Sequence, residues 1–358
     1  MKATAPPAVP PARARLAPPR PGLPGTAARA ALAVLVSGGI LVYLFAAHQV
    51  DPRGLLPLVR AISLPGLLGY VLVSALGLVL RALRYRCLLD RPVPLWPLVL
   101  VTAVRNMAVD LLPGRVGAAA SYLYLLRARL GLPLEAGVAS FAVAFILDTL
   151  ALAPLLVLAL LLVGAAAPVA PAALVAGSLI LLAGSVAALR ALAPLLRLAG
   201  GLAARLPRPV ARVAPLLGGA AGEVARLEQR RTLVPALLLS LLLRLAKYGA
   251  YYCLLQALLV SRGQAWGSLN FVHVFLSVAG AELAASLPLP TIASLGPYEA
   301  AGAAGFAYWL GLSPELATLA ATAFHGLSQL HDYGLGLVAF LWIMAGWRGG
   351  RGRGAGGR

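Results

Sequence analysis

The chain has 358 residues, 61% of them hydrophobic and 11% charged, with a mean hydropathy of +0.88, whereas soluble globular proteins run at roughly 45–50% apolar and 25% charged. So little polar surface cannot clothe a globular core, which excludes a soluble single-domain enzyme and points to repeated passage through a bilayer. The net charge of +19, from 30 basic against 11 acidic residues, would suggest nucleic acid in a soluble chain. Here the arginines flank apolar runs, so lipid headgroups are the expected counter-ions and no nucleic-acid partner is expected.

Residues 1–28 carry Lys2, Arg13, Arg15 and Arg20 among many prolines and read as a disordered basic arm before an anchor helix. A cleaved signal peptide is the rival reading, but the arm is too long and proline-rich for the usual basic start of one. A helix crossing a bilayer needs about 20 mostly apolar residues. Six segments qualify, 29–48, 63–82, 134–163, 171–190, 233–258 and 315–346, and two more, 95–126 and 268–311, are apolar but broken by Pro and Gly.

Arginine placement sorts the connections. Arg81, Arg84, Arg86 and Arg91 after the second span, Arg127 and Arg129 after the first broken region, the basic linker 190–231 and the Gly/Arg tail 348–358 read as cytoplasmic, together with the N-terminal arm. The charge-poor connections near Asp51, Gly164 and Arg262 read as external. This N-in, C-in topology closes only if each broken region returns to the side it entered, as a re-entrant hairpin or a pair of short helices. Leu111, Leu112, Pro113 and Gly114 mark the first turn; Pro288, Pro290, Gly296 and Pro297 mark the second. Irregular backbone at membrane depth survives only where protein or a water-filled cavity covers it, so each turn predicts a buried polar site.

The two regions continue alike. Leu112, Pro113 and Gly117 precede Gly131, Leu132 and Glu135 at the start of a long span; Leu287, Pro288 and Gly296 precede Gly311, Leu312 and Glu315 at the start of another. By the charge assignment the copies run in opposite directions, repeat A over about 95–163 and repeat B over about 268–346. The expected architecture is therefore all-α, a polytopic membrane bundle over 29–347 with two inverted repeats, each holding a broken hairpin. That plan suits translocation, because two pseudo-symmetric halves can open one midplane site to either side.

Ionisable groups inside spans are costly, about 2.5–3.5 kcal/mol each on insertion scales, and each is a site candidate. Arg244, Lys247, Tyr248 and Tyr251 share one helical face; the two cations either hold a phosphate, or else snorkel or pair with Asp148 or Glu282. Around the first turn, Arg105 and Asp110 are close enough to neutralise one another beside Asn106, whereas Arg115 has no local partner and is the leading candidate for a lipid phosphate contact. His325, Ser328 and Asp332 form a stripe on the last span, with Gln329 alongside, that reads either as a groove lining or as helix–helix hydrogen bonding. Glu299 follows Gly296 and Pro297 where a helix restarts, as a headgroup contact or an N-terminal cap. Cys87 and Cys253 read as reduced packing residues, the histidines are too scattered for a metal site, and no cofactor is expected. No catalytic motif is present.

In the run Leu111, Leu112, Pro113, Gly114, Arg115, Val116, Gly117, in the later Asp148, and in Leu295, Gly296, Pro297, Tyr298, Glu299, the chain resembles the transmembrane region of lysylphosphatidylglycerol synthases, a family of flippase-like membrane proteins that also occurs without a synthase domain. The resemblance runs from about Leu67 to Trp342. It implies a lipid translocator or lipid-handling protein of the bacterial inner membrane. The family pattern places an acid after the first-hairpin glycine and an acidic-basic pair before the aspartate, where this chain has Ala118, Ala144 and Phe145. The resemblance therefore shifts the chemistry toward Glu299 in the second hairpin. The expected function is translocation of a phospholipid or polyprenyl-linked headgroup through a groove between the hairpins, without catalysis. Two alternatives stay open: presentation of a lipid to a separate modifying enzyme, and small-solute transport.

Overall fold

The computed structural model describes residues 23–109, 116–164, 171–287 and 289–352, which form helices and connecting turns without a strand. Helix α1 (Leu23–Ala47) already begins inside the expected basic arm. A 3-10 turn at Pro52–Gly54, capped by the Asp51 carboxylate accepting from the Arg53 amide at 2.9 Å, leads into α2 (Leu55–Arg60). The chain bends by 94° between Ala31–Ala47 and Pro52–Arg60. Helix α3 (Leu64–Leu89) starts with Pro65 in its first turn, which costs no hydrogen bond, and stops where Asp90 turns left-handed.

After α3 come two short helices, α4 (Leu95–Met107) and α5 (Val116–Leu130), then the long α6 (Leu134–Val163) and α7 (Pro171–Ala204). The basic linker is itself helical, as α8 (Arg208–Ala211) and α9 (Ala214–Gln229). It is followed by α10 (Leu233–Leu259), by the short pair α11 (Phe271–Ala285) and α12 (Pro297–Leu310), and by α13 (Pro314–Gly352), which continues into the expected tail. Asn270 starts α11 by accepting from the amides of Val272 and His273.

Helices α3, α6, α7 and α10 are long and apolar enough to cross a membrane. Segments 29–48 and 315–346, expected as spans, fall short of that measure. The first reaches it only together with the bent helix after it, and α13 interrupts its apolar stretch with His325, Ser328, Gln329, His331 and Asp332. The two broken regions become pairs of short helices. With 13 residues in α4 and 15 in α11, at 1.5 Å per residue each covers only about 20–23 Å of a hydrocarbon layer about 30 Å thick.

Helix α10 packs along α3 past the small residues Gly69, Gly77 and Gly249, which let the two axes approach closely. Helix α13 lies against both α4 and α12 and so ties the two broken regions together. At its closest approach a Cβ on Gly336 would collide with Met107 and stand 3.0 Å from the Ala103 carbonyl oxygen. One core gathers Leu254, Leu258, Val278, Phe306 and Phe324 from α10 to α13; the other gathers Ala82, Tyr85, Leu98, Tyr122 and Val143 from α3 to α6, with Leu227 of α9.

The outer surface inverts the order of a soluble protein. Val234, Leu238 and Leu242 of α10 and Leu158 and Leu161 of α6 are exposed, while Arg84 and Glu299 are fully buried. Apolar groups outside and charges inside is the stable arrangement only when the surrounding medium is hydrocarbon.

Candidate functional site

Buried charge begins at α3. Because this helix runs on past its apolar stretch to Leu89, Arg81 and Arg84 lie on its inner face one turn apart, and the expectation that they follow the second span in a connection is corrected to a place within the helix. Arg86 is exposed, and Arg91 bonds to Glu223 of α9 at 3.0 Å, as an end-of-span cation should. The Arg84 guanidinium donates through Nη1 to Asp148 Oδ1 at 2.6 Å and to Ser240 Oγ at 3.0 Å, and through Nη2 to Asp148 Oδ2 at 3.3 Å. Asp148, isolated among apolar residues of α6, needs such a cation to stay in the bundle, and a guanidinium meets both carboxylate oxygens at once.

A second carboxylate, Glu282 of α11, gathers the expected face of α10. Lys247 Nζ pairs with Glu282 Oε1, Tyr248 donates its hydroxyl to Oε2 at 3.1 Å, and Arg244 Nη1 lies 3.5 Å from the same oxygen. Arg244 also donates from Nε and Nη2 to the Asp148 backbone oxygen at 3.2 and 3.1 Å, joining the two clusters. Tyr251 completes the face, its ring centroid 5.5 Å from Lys247 Nζ. Of the two readings open for Arg244 and Lys247, this conformation has the paired one: both contact Glu282.

Glu299 is the third buried carboxylate and sits at the restart of the second hairpin. Its Oε2 accepts from the Gly296 amide at 2.6 Å, which is the cap, and its Oε1 lies 2.6 Å from His325 Nδ1 on α13. His325 Nε2 lies 3.1 Å from Gln329 Nε2, and the Tyr298 ring stacks on the imidazole with centroids 4.0 Å apart. Gly296 has φ 101°, a region open to glycine, and a Cβ there would stand 2.9 Å from Ile40 Cβ. Glu299 thus does more than cap: one oxygen holds the turn while the other meets a titratable ring.

The expected stripe on α13 divides. Ser328 is buried and bonds back to the His325 carbonyl at 2.9 Å. Asp332, almost two turns beyond His325, is 48% exposed and lines a separate cavity of about 20 Å³ with Ser74, Asn106 and His331. Seven residues of helix separate His325 from Asp332 by about 10 Å along the axis, so one side chain faces the hairpin and the other faces α3 and α4.

Asn106, at the end of α4, accepts through Oδ1 from Arg81 Nη1 at 3.0 Å and from Arg105 Nη1 at 3.1 Å. Gly117 lies buried at the start of α5. Asp110, Pro113, Gly114 and Arg115 lie outside the described residues. Sequence reasoning missed Arg81 and Arg84 as site residues. The signal for Arg84 was Asp148 itself, a lone acid in a span that required a cation from another helix.

These elements place three carboxylates, five cations and a histidine inside an apolar shell in three clusters: Arg84, Asp148, Arg244, Lys247 and Glu282 on α3, α6, α10 and α11, Glu299 and His325 on α12 and α13, and Arg81 and Arg105 around Asn106 on α3 and α4. Among the described residues no group of three or more His, Cys, Asp or Glu could hold a metal ion. The family model described as the lysylphosphatidylglycerol synthase TM region matches residues 30–336. No curated protein and no solved structure matches.

Proposed function

Since the chain belongs to the lysylphosphatidylglycerol synthase transmembrane-region family, we propose that it is a lipid translocator, moving a polar or anionic headgroup along the buried network while the acyl chains stay in the surrounding bilayer. The observation that carries this reading is the charged interior itself. Arg84, Asp148, Arg244, Lys247, Glu282, Glu299 and His325 sit among helices whose outer faces are apolar. A purely structural bundle gains little from such a set, because well-packed apolar residues of similar volume are commonly as stable as a buried ion pair.

In this reading α4/α5 and α11/α12 are the two hairpins of an inverted repeat, and α13 is the element on which both move. A headgroup phosphate enters beside Arg81 and Arg105, which share only a neutral acceptor among the described residues, and Arg115 is the further phosphate donor expected from the sequence. It advances by competing with Glu282 for Arg244 and Lys247, each exchange replacing one charge-assisted bond by another, so no step leaves a bare charge in hydrocarbon. Glu299 and His325 serve a headgroup amine, or a proton that accompanies it, at the opposite hairpin. No chemical bond is made or broken, so the protein works as a carrier path and not as an enzyme, in a plasma membrane with both termini on the cytoplasmic side.

The test is reconstitution into liposomes carrying fluorescent lipids of different headgroups, with dithionite added outside. Translocation predicts that the inner-leaflet pool becomes bleachable in protein-containing vesicles, at a rate that depends on headgroup. Bleaching that halts at the outer-leaflet fraction for every headgroup would refute the proposal.

A further inference from the structure

Two guanidiniums with a single neutral acceptor between them are an unfinished electrostatic arrangement. Arg81 and Arg105 both spend Nη1 on Asn106 Oδ1, and neither takes part in an ion pair among the described residues. Asp148 bonds to Arg84 through both carboxylate oxygens and makes no salt bridge to Arg81, which it attracts only from a distance. The Nε atoms of Arg81 and Arg105 are buried without a hydrogen-bond partner. Arg105 is 5% exposed, so its charge is not left to water. Its position in the last turn of α4, and the Phe141 ring 5.5 Å from its guanidinium carbon, favour a cation there but do not offset the repulsion from Arg81. By contrast, Arg84, Arg244 and Lys247 each have a carboxylate.

We infer that Arg81 and Arg105, bridged by Asn106, form an anion subsite that takes a phosphoryl group. Asn106 is half-buried, so the pair is not sealed off from its surroundings. The adjoining cavity of about 20 Å³, lined by Ser74, Asn106, His331 and the half-exposed carboxylate of Asp332, has room for about one water and too little for a phosphate, and its carboxylate turns an anion away. The anion therefore sits over the guanidiniums, with a water behind it that can reach the unpartnered Nε2 of His331. Guanidinium donors in pairs match phosphate oxygens in geometry and charge, and an anion between them turns a repulsion into two charge-assisted contacts. The subsite rests on the lipid-handling reading only for where the phosphoryl group comes from: a phospholipid headgroup, or free phosphate.

The experiment is a thermal-shift titration of the full chain in neutral detergent with inorganic phosphate and, separately, with a short-chain phosphatidylglycerol, using short-chain diacylglycerol as the uncharged control. Wild type and Arg205→Gln, an exposed cation elsewhere, are expected to be stabilised by both phosphate compounds. Arg81→Gln and Arg105→Gln should each weaken the midpoint at least about tenfold, the effect of losing one charge-assisted contact. Asn106→Asp is the decisive variant: it places a carboxylate between the guanidiniums, so the protein should become more heat-stable and blind to phosphate. A lipid midpoint at least tenfold below that of inorganic phosphate assigns the headgroup as source; equal midpoints assign free phosphate.

No phosphate-dependent shift in wild type, or an undiminished shift in Asn106→Asp, overturns the subsite. A protein that binds phosphate here yet moves no lipid in liposomes would sink the translocator reading and leave the subsite standing.

Discussion

Replacing Arg84 by Met removes a buried cation while keeping most of the side-chain volume. Three hydrogen bonds are lost, two to Asp148 and one to Ser240, and the carboxylate stays inside the bundle with no equivalent partner. At about 0.6–1.7 kcal/mol for each such bond within a bilayer the loss is about 2–5 kcal/mol, and breaking a buried ion pair from one side gives about 3–5 kcal/mol independently. The stranded charge, more than the missing bonds, sets that size. Ser240→Ala, which removes one bond and strands no charge, should therefore cost only about 1 kcal/mol. The double variant Arg84→Met with Asp148→Leu should recover most of the loss, since an apolar pair of similar volume replaces a buried ion pair at little cost. Equilibrium unfolding in mixed micelles, titrated with SDS and followed by tryptophan fluorescence, reads all three. An Arg84→Met variant within about 0.5 kcal/mol of wild type, the range of ordinary surface substitutions, would refute the reasoning, as would a double variant no more stable than the single one.

Glu299→Gln keeps an oxygen for the Gly296 amide but loses the charge facing His325, so translocation should fall at least tenfold with stability within about 1 kcal/mol; full transport by the purified variant would reduce Glu299 to a cap. Gly296→Ala forces a Cβ into a left-handed position against Ile40 and should destabilise by about 1–3 kcal/mol, read in the same SDS titration; an unchanged midpoint would contradict the turn geometry. Gly336→Val should pry α13 from α4 and lower the thermal midpoint, whereas Gly334→Ala, whose Cβ position is open, should not. Cysteines placed singly at Gly222 and Gly352 should resist membrane-impermeant maleimide in intact cells, and external labelling of either would reject the N-in, C-in topology.

The long apolar helices were legible because a hydrocarbon-facing surface must be apolar over a whole span, and both broken regions showed through their Pro and Gly residues. The ends of helices were not. Arg81 and Arg84 look like loop cations to any rule that stops a span at its last apolar residue, yet α3 carries them inward as helix to meet Asn106 and Asp148. Pairings across helices such as Lys247 with Glu282, 35 positions apart, cannot be ranked from spacing, which specifies a face but not what lies opposite. The same limit merged His325 and Asp332 into one stripe. Glu299 was identifiable from its place after Gly296 and Pro297, but its second contact, with His325, depends on α12 packing against α13.

The most direct test of the claim that the buried network is the headgroup path is a matched liposome assay. Wild type, Glu299→Gln and Asn106→Asp are reconstituted at equal protein-to-lipid ratio, with a fluorescent anionic phospholipid and dithionite outside. Inner-leaflet fluorescence should be lost rapidly with wild type and at least tenfold more slowly with both variants, even though Asn106→Asp is expected to be the more heat-stable protein. Equal rates in all three, or a wild-type rate no faster than protein-free vesicles, would contradict that claim.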